Sequence, residues 1–267
     1  TRTVVVADTT IPTITLLGST PTNHQQGTAY TDAGTTAADN TDGDISGSVT
    51  QSGSVNVNTA SSYTLTFNVL DAAGNSAIAV TRQVVVADTA APVITLTGNA
   101  TINQEQGSAY TDAGASAADT VDGDVTADIV VTGTVDVNTA GPHVLSYNVT
   151  DAASNIATTV TRTVTVIDTT IPVITLLGDA SVDHTLGQLF VDPGTSASDN
   201  IDGDISGSVI TSGSIDINTE GAYVLTYNVS DAASNAATAI TRTVNVVAPT
   251  AVSIEAETAT IGGAHVV

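Results

Sequence analysis

Apolar and polar residues alternate with a period of two along much of the chain. Tyr63, Leu65, Phe67 and Val69 alternate with Thr64, Thr66 and Asn68, and Tyr223, Leu225, Tyr227 and Val229 repeat the pattern. Successive side chains of a strand point to opposite faces, so this spacing predicts a half-buried strand with one core face. The turn Asp71-Ala72-Ala73-Gly74-Asn75 leads into a second such strand over 80–86. Upstream, strands are expected at 14–17, 29–37, 48–51 and 54–58. Six or seven short strands separated by Gly, Asn and Asp turns predict a β-sandwich. No segment carries a helical stripe.

The pattern recurs. Arginines stand at 2, 82, 162 and 242, and residues 8–87 align with 168–247 without a gap, with 46 identities in 80. Internal repeats set domain boundaries, which places units at 8–87, 88–167 and 168–247. Each opens on Asp-Thr, two further residues and then Pro, a punctuation that suits a short linker. Residues 1–7 match 81–87 and are expected to be the last strand of a preceding repeat. Residues 248–267 read as a linker and the start of a further β domain. A unit of this size is a small independent domain with a limited core.

Composition sharpens the class. Hydrophobic residues make up 41%, but there are only six Tyr and two Phe, with no Trp, Met or Cys. Small and β-branched side chains suit strands better than a helical core. Without cysteine there is no disulfide framework, so cores or metals must stabilise the units. Four arginines face 27 acids, a formal charge of −23. That charge excludes nucleic acid and anionic membranes as partners, because counterion release needs many cations. It suits a protein that stays soluble in salt or collects cations. No apolar run approaches the roughly 18–20 residues of a membrane span, and no membrane insertion is expected.

Several motifs agree in order and spacing with one family. Pro-Val-Ile-Thr-Leu-Leu-Gly (172–178), Tyr-Thr-Asp-Ala-Gly (110–114), Asp-Gly-Asp (122–124), Tyr-Asn-Val-Thr-Asp-Ala-Ala-Ser-Asn (147–155) and Val-Thr-Arg-Thr-Val-Thr-Val (160–166) resemble bacterial immunoglobulin-like surface repeats. These are relatives of the hyalin-repeat and cadherin-like sandwiches, and the resemblance covers 1–247. It implies an all-β chain of three tandem immunoglobulin-like sandwiches in an elongated array, an extracellular or cell-surface location, and a spacer or adhesive role in a longer protein. The tail, with Glu255-Ala256-Glu257 and Gly262-Gly263 before a Val strand, resembles the start of a family 6 or 35 carbohydrate-binding module.

The densest chemistry is Asp39-Asn40-Thr41-Asp42-Gly43-Asp44, which returns at 119–124 and 199–204. In an immunoglobulin-like sandwich the start of the first strand, the loop after the second and the last hairpin turn share one pole. Asp8, Asp39, Asp42, Asp44 and Asp71 are therefore expected to converge in the first unit. Asp88, Asp119, Asp122, Asp124 and Asp151 do so in the second, and Asp168, Asp199, Asp202, Asp204 and Asp231 in the third. Calcium takes six to eight oxygen ligands without strict geometry, and a divalent cation reverses the repulsion of crowded carboxylates. One or more calcium sites per unit, stiffening the junction with the preceding domain, are expected. The alternative is plain turn chemistry, with Asp side chains capping nearby amides. The spacing is not that of an EF-hand loop.

Strict alternation also aims Arg162 at the apolar face of its strand, where a guanidinium must be paired. Asp112 and Asp151 are the candidates for a bidentate partner, and a β-bulge turning Arg162 to solvent is the alternative. The four histidines, His24, His143, His184 and His265, form no ligand pattern, and no catalytic triad recurs with the repeat. A catalytic site copied identically at 80-residue intervals is not expected. The leading function is thus a non-catalytic stalk in a secreted or surface-attached bacterial protein, an adhesin or a polysaccharide-active one. Its partners are neighbouring domains of the same chain, with polysaccharide or a cell-surface partner engaged by other domains. The alternatives are a glycan- or protein-binding module and a homopolymeric fibre.

Overall fold

The computed structural model describes residues 1–250. The tail resemblance at 252–267 lies outside the described residues. Contacts gather the chain into two compact units. One comprises Thr1–Ile102, Thr111–Val135 and His143–Val164, and the other Asn103–Tyr110, Asp136–Pro142 and the described residues from Thr165 on. The first contains the whole first repeat and the second the whole third repeat.

In the first repeat seven strands form two sheets. They are β1 (Thr13–Leu16), β2 (Thr22–Gln25), β3 (Thr35–Asp39), β4 (Gly43–Asp44), β5 (Thr50–Ser52), β6 (Ser61–Asn68) and β7 (Val80–Ala87). One sheet has the order β1-β3-β4 and the other β2-β7-β6-β5. All pairings are antiparallel except β2 with β7, which run parallel. A short 3₁₀ turn over Ser46–Ser48 carries the chain from one sheet to the other.

The second repeat follows with β8 (Val93–Leu96), β9 (Thr101–Glu105), β10 (Ala115–Asp119), β11 (Gly123–Asp124), β12 (Val130–Thr132), β13 (Gly141–Asn148) and β14 (Val160–Ile167). The third has β15 (Val173–Leu176), β16 (Ser181–Thr185), β17 (Thr195–Asp199), β18 (Gly203–Asp204), β19 (Ile210–Ser212), β20 (Gly221–Asn228) and β21 (Ile240–Val247). Both keep the same two sheet orders. The chain is all-β, with three tandem immunoglobulin-like sandwiches.

Alternation builds the core as expected. Leu65, Phe67 and Val69 of the β6 segment and Val84 and Val86 of β7 are buried, facing Ile14 and Ala37 of the smaller sheet. In the third repeat Leu225, Tyr227 and Val229 meet Ile174 and Ala197. Each large apolar side chain so buried contributes about 1.5–3 kcal/mol.

The arginines lie inside this core. Arg82, Arg162 and Arg242 are 1, 0 and 0% exposed. Arg82 pairs with Asp32 at 2.7 Å, and Arg162 and Arg242 pair with Asp112 and Asp192. Of the two expected partners for Arg162, Asp112 is the one used. The guanidinium also donates to backbone carbonyls of the opposite sheet's turns: Arg162 Nε to Asn99 at 3.1 Å, and Nη2 to Gly114 at 3.2 Å and to Thr97. Each arginine thus fastens the last strand of one sheet to the first two strands of the other.

The second oxygen of the aspartate takes a phenol, but from different places. Tyr147 and Tyr227 donate to Asp112 and Asp192 at 2.6 and 2.8 Å. The first repeat has Phe67 at this position, and Tyr30 supplies the bond to Asp32 at 2.9 Å. The third repeat carries Phe190 where the first has Tyr30.

Three expected strands differ. The segment 29–37 is a strand only from Thr35; residues 29–34 form no regular element, and there the Asp32 carboxylate accepts from the Gly34 amide at 2.8 Å in place of a ladder bond. Residues 54–58 are not a strand. The β5–β6 ladder stops at Ser52↔Thr66, and Gly53, at φ +89°, turns away so close to the Thr64 carbonyl that a Cβ would meet it at 2.4 Å. Residues 1–7 form no strand, and Val4, Val5 and Val6 are 80, 83 and 90% exposed. A last strand of this kind needs neighbours on both sides, as β7 has in β6 and β2, and none flanks it among the described residues. Strand β2, with the sequence Thr-Asn-His-Gln, was not expected at all.

Candidate metal centre

The acidic hexapeptide is a hairpin turn. Strands β3 and β4 pair through Ala38↔Asp44 and Asp39↔Gly43, with Gly43 at φ +72° closing the turn. Asp39 Oδ1 accepts from the amides of Thr41 and Asp42 at 2.8 and 3.2 Å. Across the pole, the turn between β6 and β7 is closed in the same way. Asp71 Oδ1 accepts from the Asn75 amide at 2.6 Å, and its Oδ2 from Asn75 Nδ2 at 2.7 Å. Asn75 Nδ2 also donates to the Asp8 carbonyl at 3.1 Å, which draws the linker against both turns.

This bonding leaves oxygens over. Carboxylate oxygens of Asp8, Asp39 and Asp71 lie within 4.8 Å of one another. The same holds for Asp88, Asp119, Asp122 and Asp151, and for Asp168, Asp199 and Asp231. Asp39, Asp71, Asp119, Asp151 and Asp231 are buried. The Oδ2 atoms of Asp8, Asp39, Asp88, Asp119 and Asp199 are shielded from solvent and have no hydrogen-bond partner. Turn chemistry therefore accounts for one oxygen of Asp39 and of Asp119 and leaves the other buried without a partner, in a residue that belongs to an acidic group.

The remaining expected ligands are placed beside the group, not in it. Asp42 Oδ2 accepts from the Ala72 amide at 2.8 Å and Asp202 Oδ2 from Ala232 at 2.7 Å, each bracing one turn against the other. Asp122 makes the same bond to Ala152 at 2.9 Å while still joining its group. Asp44 is taken up locally, its Oδ1 accepting from the Ser46 amide at 2.9 Å and hydroxyl at 2.6 Å. Asp124 and Asp204 do likewise with Thr126 and Ser206.

Protonation follows these bonds. The hydroxyls of Ser46, Thr126 and Ser206 hold Asp44, Asp124 and Asp204 below the usual carboxylate range. The Thr10 amide lowers Asp8, and the Val121 amide lowers Asp119. Asp168 is raised instead, by burial and then by the nearby charges of Asp199 and Asp231.

Two ligands 2.3–2.6 Å from one calcium ion lie at most about 5 Å apart, so each group has suitable dimensions. The donors are hard oxygens, with no imidazole or thiol among them, which suits calcium over zinc or copper. Sequence reasoning missed Asn75, Asn155 and Asn235, which hold the groups together. Their recurrence four residues after Asp71, Asp151 and Asp231 was the available signal.

No helix among the described residues is long and apolar enough to cross a membrane. No curated protein matches the chain. Among solved structures it is similar to a lipoprotein of Bacteroides thetaiotaomicron, with 38% identity, 30% of this chain and 40% of that one covered, and a TM-score of 0.28. It is also similar to an M60 catalytic domain with two CBM51 domains from Clostridium perfringens, with 14% identity, coverage of 95% and 33%, and a TM-score of 0.26. A Bacteroides ovatus mixed-linkage glucan utilization protein in complex with a heptasaccharide is similar at 15% identity, coverage of 91% and 72%, and a TM-score of 0.21. The chain spans only 40% and 33% of the first two. The family described as bacterial surface protein, Ig-like domain, matches residues 14–86, 94–166 and 174–246, and the chain belongs to it as three tandem copies.

Proposed function

We propose that the three repeats, each folding as a unit over 8–87, 88–167 and 168–247, form a calcium-stiffened spacer in a secreted or surface-attached bacterial protein. The observation that carries this reading is the buried, unpartnered Oδ2 of Asp39 and its counterparts Asp119 and Asp199, each within an acidic group beside the linker. An uncompensated carboxylate in such a place destabilises the fold, and a divalent cation offsets it. Because Asp8, Asp88 and Asp168 belong to the linkers, an ion there would restrain the approach to each repeat. The repeats would be non-catalytic. The aromatic side chains Phe67, Tyr147 and Tyr227 are buried, which disfavours a glycan-stacking surface on these strands.

A melting scan in calcium and then in chelator tests the reading. At calcium about 100-fold above Kd, a site adds about 2.7 kcal/mol. For a domain of this size that raises Tm by about 10–20 °C. An unchanged midpoint would exclude calcium from the account.

A further inference from the structure

The linker aspartate of the second centre is held by a side chain of the repeat before it. Gln25, the last residue of β2, donates from Nε2 to Asp88 Oδ1 at 2.9 Å. Its Oε1 accepts from the Thr89 amide at 2.7 Å and from the Thr89 hydroxyl at 2.5 Å. Asp88 Oδ1 also accepts from the Ala90 amide at 3.1 Å. With Oδ1 so occupied, Asp88 Oδ2 is left buried and without a partner, in the group of Asp119, Asp122 and Asp151. Independently, Asp119 is 9% exposed and its Oδ2 also lacks any hydrogen bond. Two residues of this group therefore each carry a buried oxygen without a partner, and one of them, Asp88, is held by a residue outside its own repeat.

The geometry points to Gln25 as a positioning residue for the cation centre of the second repeat, coupling ion binding there to the first repeat. This inference rests on the calcium reading and adds to it that the centre is shared between repeats. Amide donation to Oδ1 fixes the carboxylate rotamer, so Oδ2 needs no reordering when a cation arrives; such outer partners orient metal ligands and tune affinity. The position is not filled alike elsewhere. Glu105, at the end of β9, reaches Thr169 and Thr170 with its carboxylate, and the third repeat has Thr185. The amide-to-carboxylate bond thus belongs to the junction at Asp88.

The test is a calorimetric calcium titration of the whole chain carrying D39N and D199N, which leaves the middle centre to report. Adding Gln25→Ala should weaken calcium binding about ten-fold or more at unchanged stoichiometry. Thr89→Ala, which loosens the linker clamp but leaves the bond to Asp88, should keep the affinity of the parent. Equal affinity in Gln25→Ala and the parent would overturn the assignment. So would an equal loss in Gln25→Ala and Thr89→Ala, since Gln25 would then act only as a clamp. If the parent chain binds no calcium, the calcium reading and this inference both fall. Calcium bound normally by the parent and unaffected by Gln25→Ala sinks this inference alone.

Discussion

Replacing Arg162 by alanine should come close to unfolding the second repeat. The guanidinium is 0% exposed and crosses between the two sheets, joining β14 to Asp112 and to the carbonyls of Thr97, Asn99 and Gly114. Breaking a buried pair by removing one partner costs about 3–5 kcal/mol. The Asp112 side chain is 25% exposed, so water reaches it and the lower figure applies. The Gly114 carbonyl keeps a bond from the Thr97 amide at 2.9 Å, but the Thr97 and Asn99 carbonyls lose a donor, at about 1 kcal/mol each. The loss is therefore about 5 kcal/mol. An 80-residue domain holds only about 4–12 kcal/mol. Urea unfolding followed by far-ultraviolet circular dichroism should show one repeat's share of the signal lost at little or no denaturant, with the other two repeats unmoved. Arg162→Met with Asp112→Leu should recover only the ion-pair share, because the two carbonyls stay unbonded. An unfolding curve for Arg162→Ala that overlays the parent's would refute the argument.

Three further outcomes follow from the same core. Tyr227→Phe removes the bond to Asp192 and should cost the third repeat about 1 kcal/mol, while adding Phe190→Tyr recreates the first repeat's arrangement and should restore the urea midpoint. Burial and then the hydrogen bond to Asp192 push the Tyr227 phenol from 10 up to about 12. A raised folded value means its stabilisation is complete below pH 10 and disappears between 10 and 12, so alkaline unfolding of the third repeat should fall in that window. A spectrophotometric titration in which every tyrosine ionises near its ordinary value would contradict it. Finally, Gly213→Ala should destabilise well beyond Gly203→Ala. At Gly213 a Cβ would meet the Val224 carbonyl at 2.2 Å, whereas at Gly203 nothing lies within 4 Å and only the positive φ is strained.

How much of this was legible in the sequence depended on whether a residue's neighbours were near in the pattern. Alternation placed Leu65, Phe67 and Val84 in the core and aimed Arg162 inward, because a strand's two faces are local geometry. Strand β2 was invisible. Its four polar residues pair in parallel along β7 without an apolar face, so nothing in the periodicity marks them. The convergence of the linker, hairpin and last-turn aspartates could be argued from sandwich topology. Which of them would meet could not be. Asp44 is diverted by a hydroxyl two residues on, and Asp42 by an amide 30 residues away. The phenol exchange between Tyr30 and Tyr227 likewise depends on which side chains reach one carboxylate, a matter of depth that spacing does not record.

Turn chemistry and cation binding make opposite demands on Asp39, Asp119 and Asp199. Asparagine at these positions keeps the Oδ1 acceptor that closes each hairpin and removes the charge on the unpartnered oxygen. The decisive measurement is the melting midpoint of the D39N/D119N/D199N chain against the parent, in chelator and in saturating calcium. A crossing is expected: the triple variant melts higher than the parent in chelator, where it lacks three uncompensated charges, and lower in calcium, which stabilises only the parent. Two chains that keep the same order in both conditions, with no calcium-dependent rise in the parent, would contradict it.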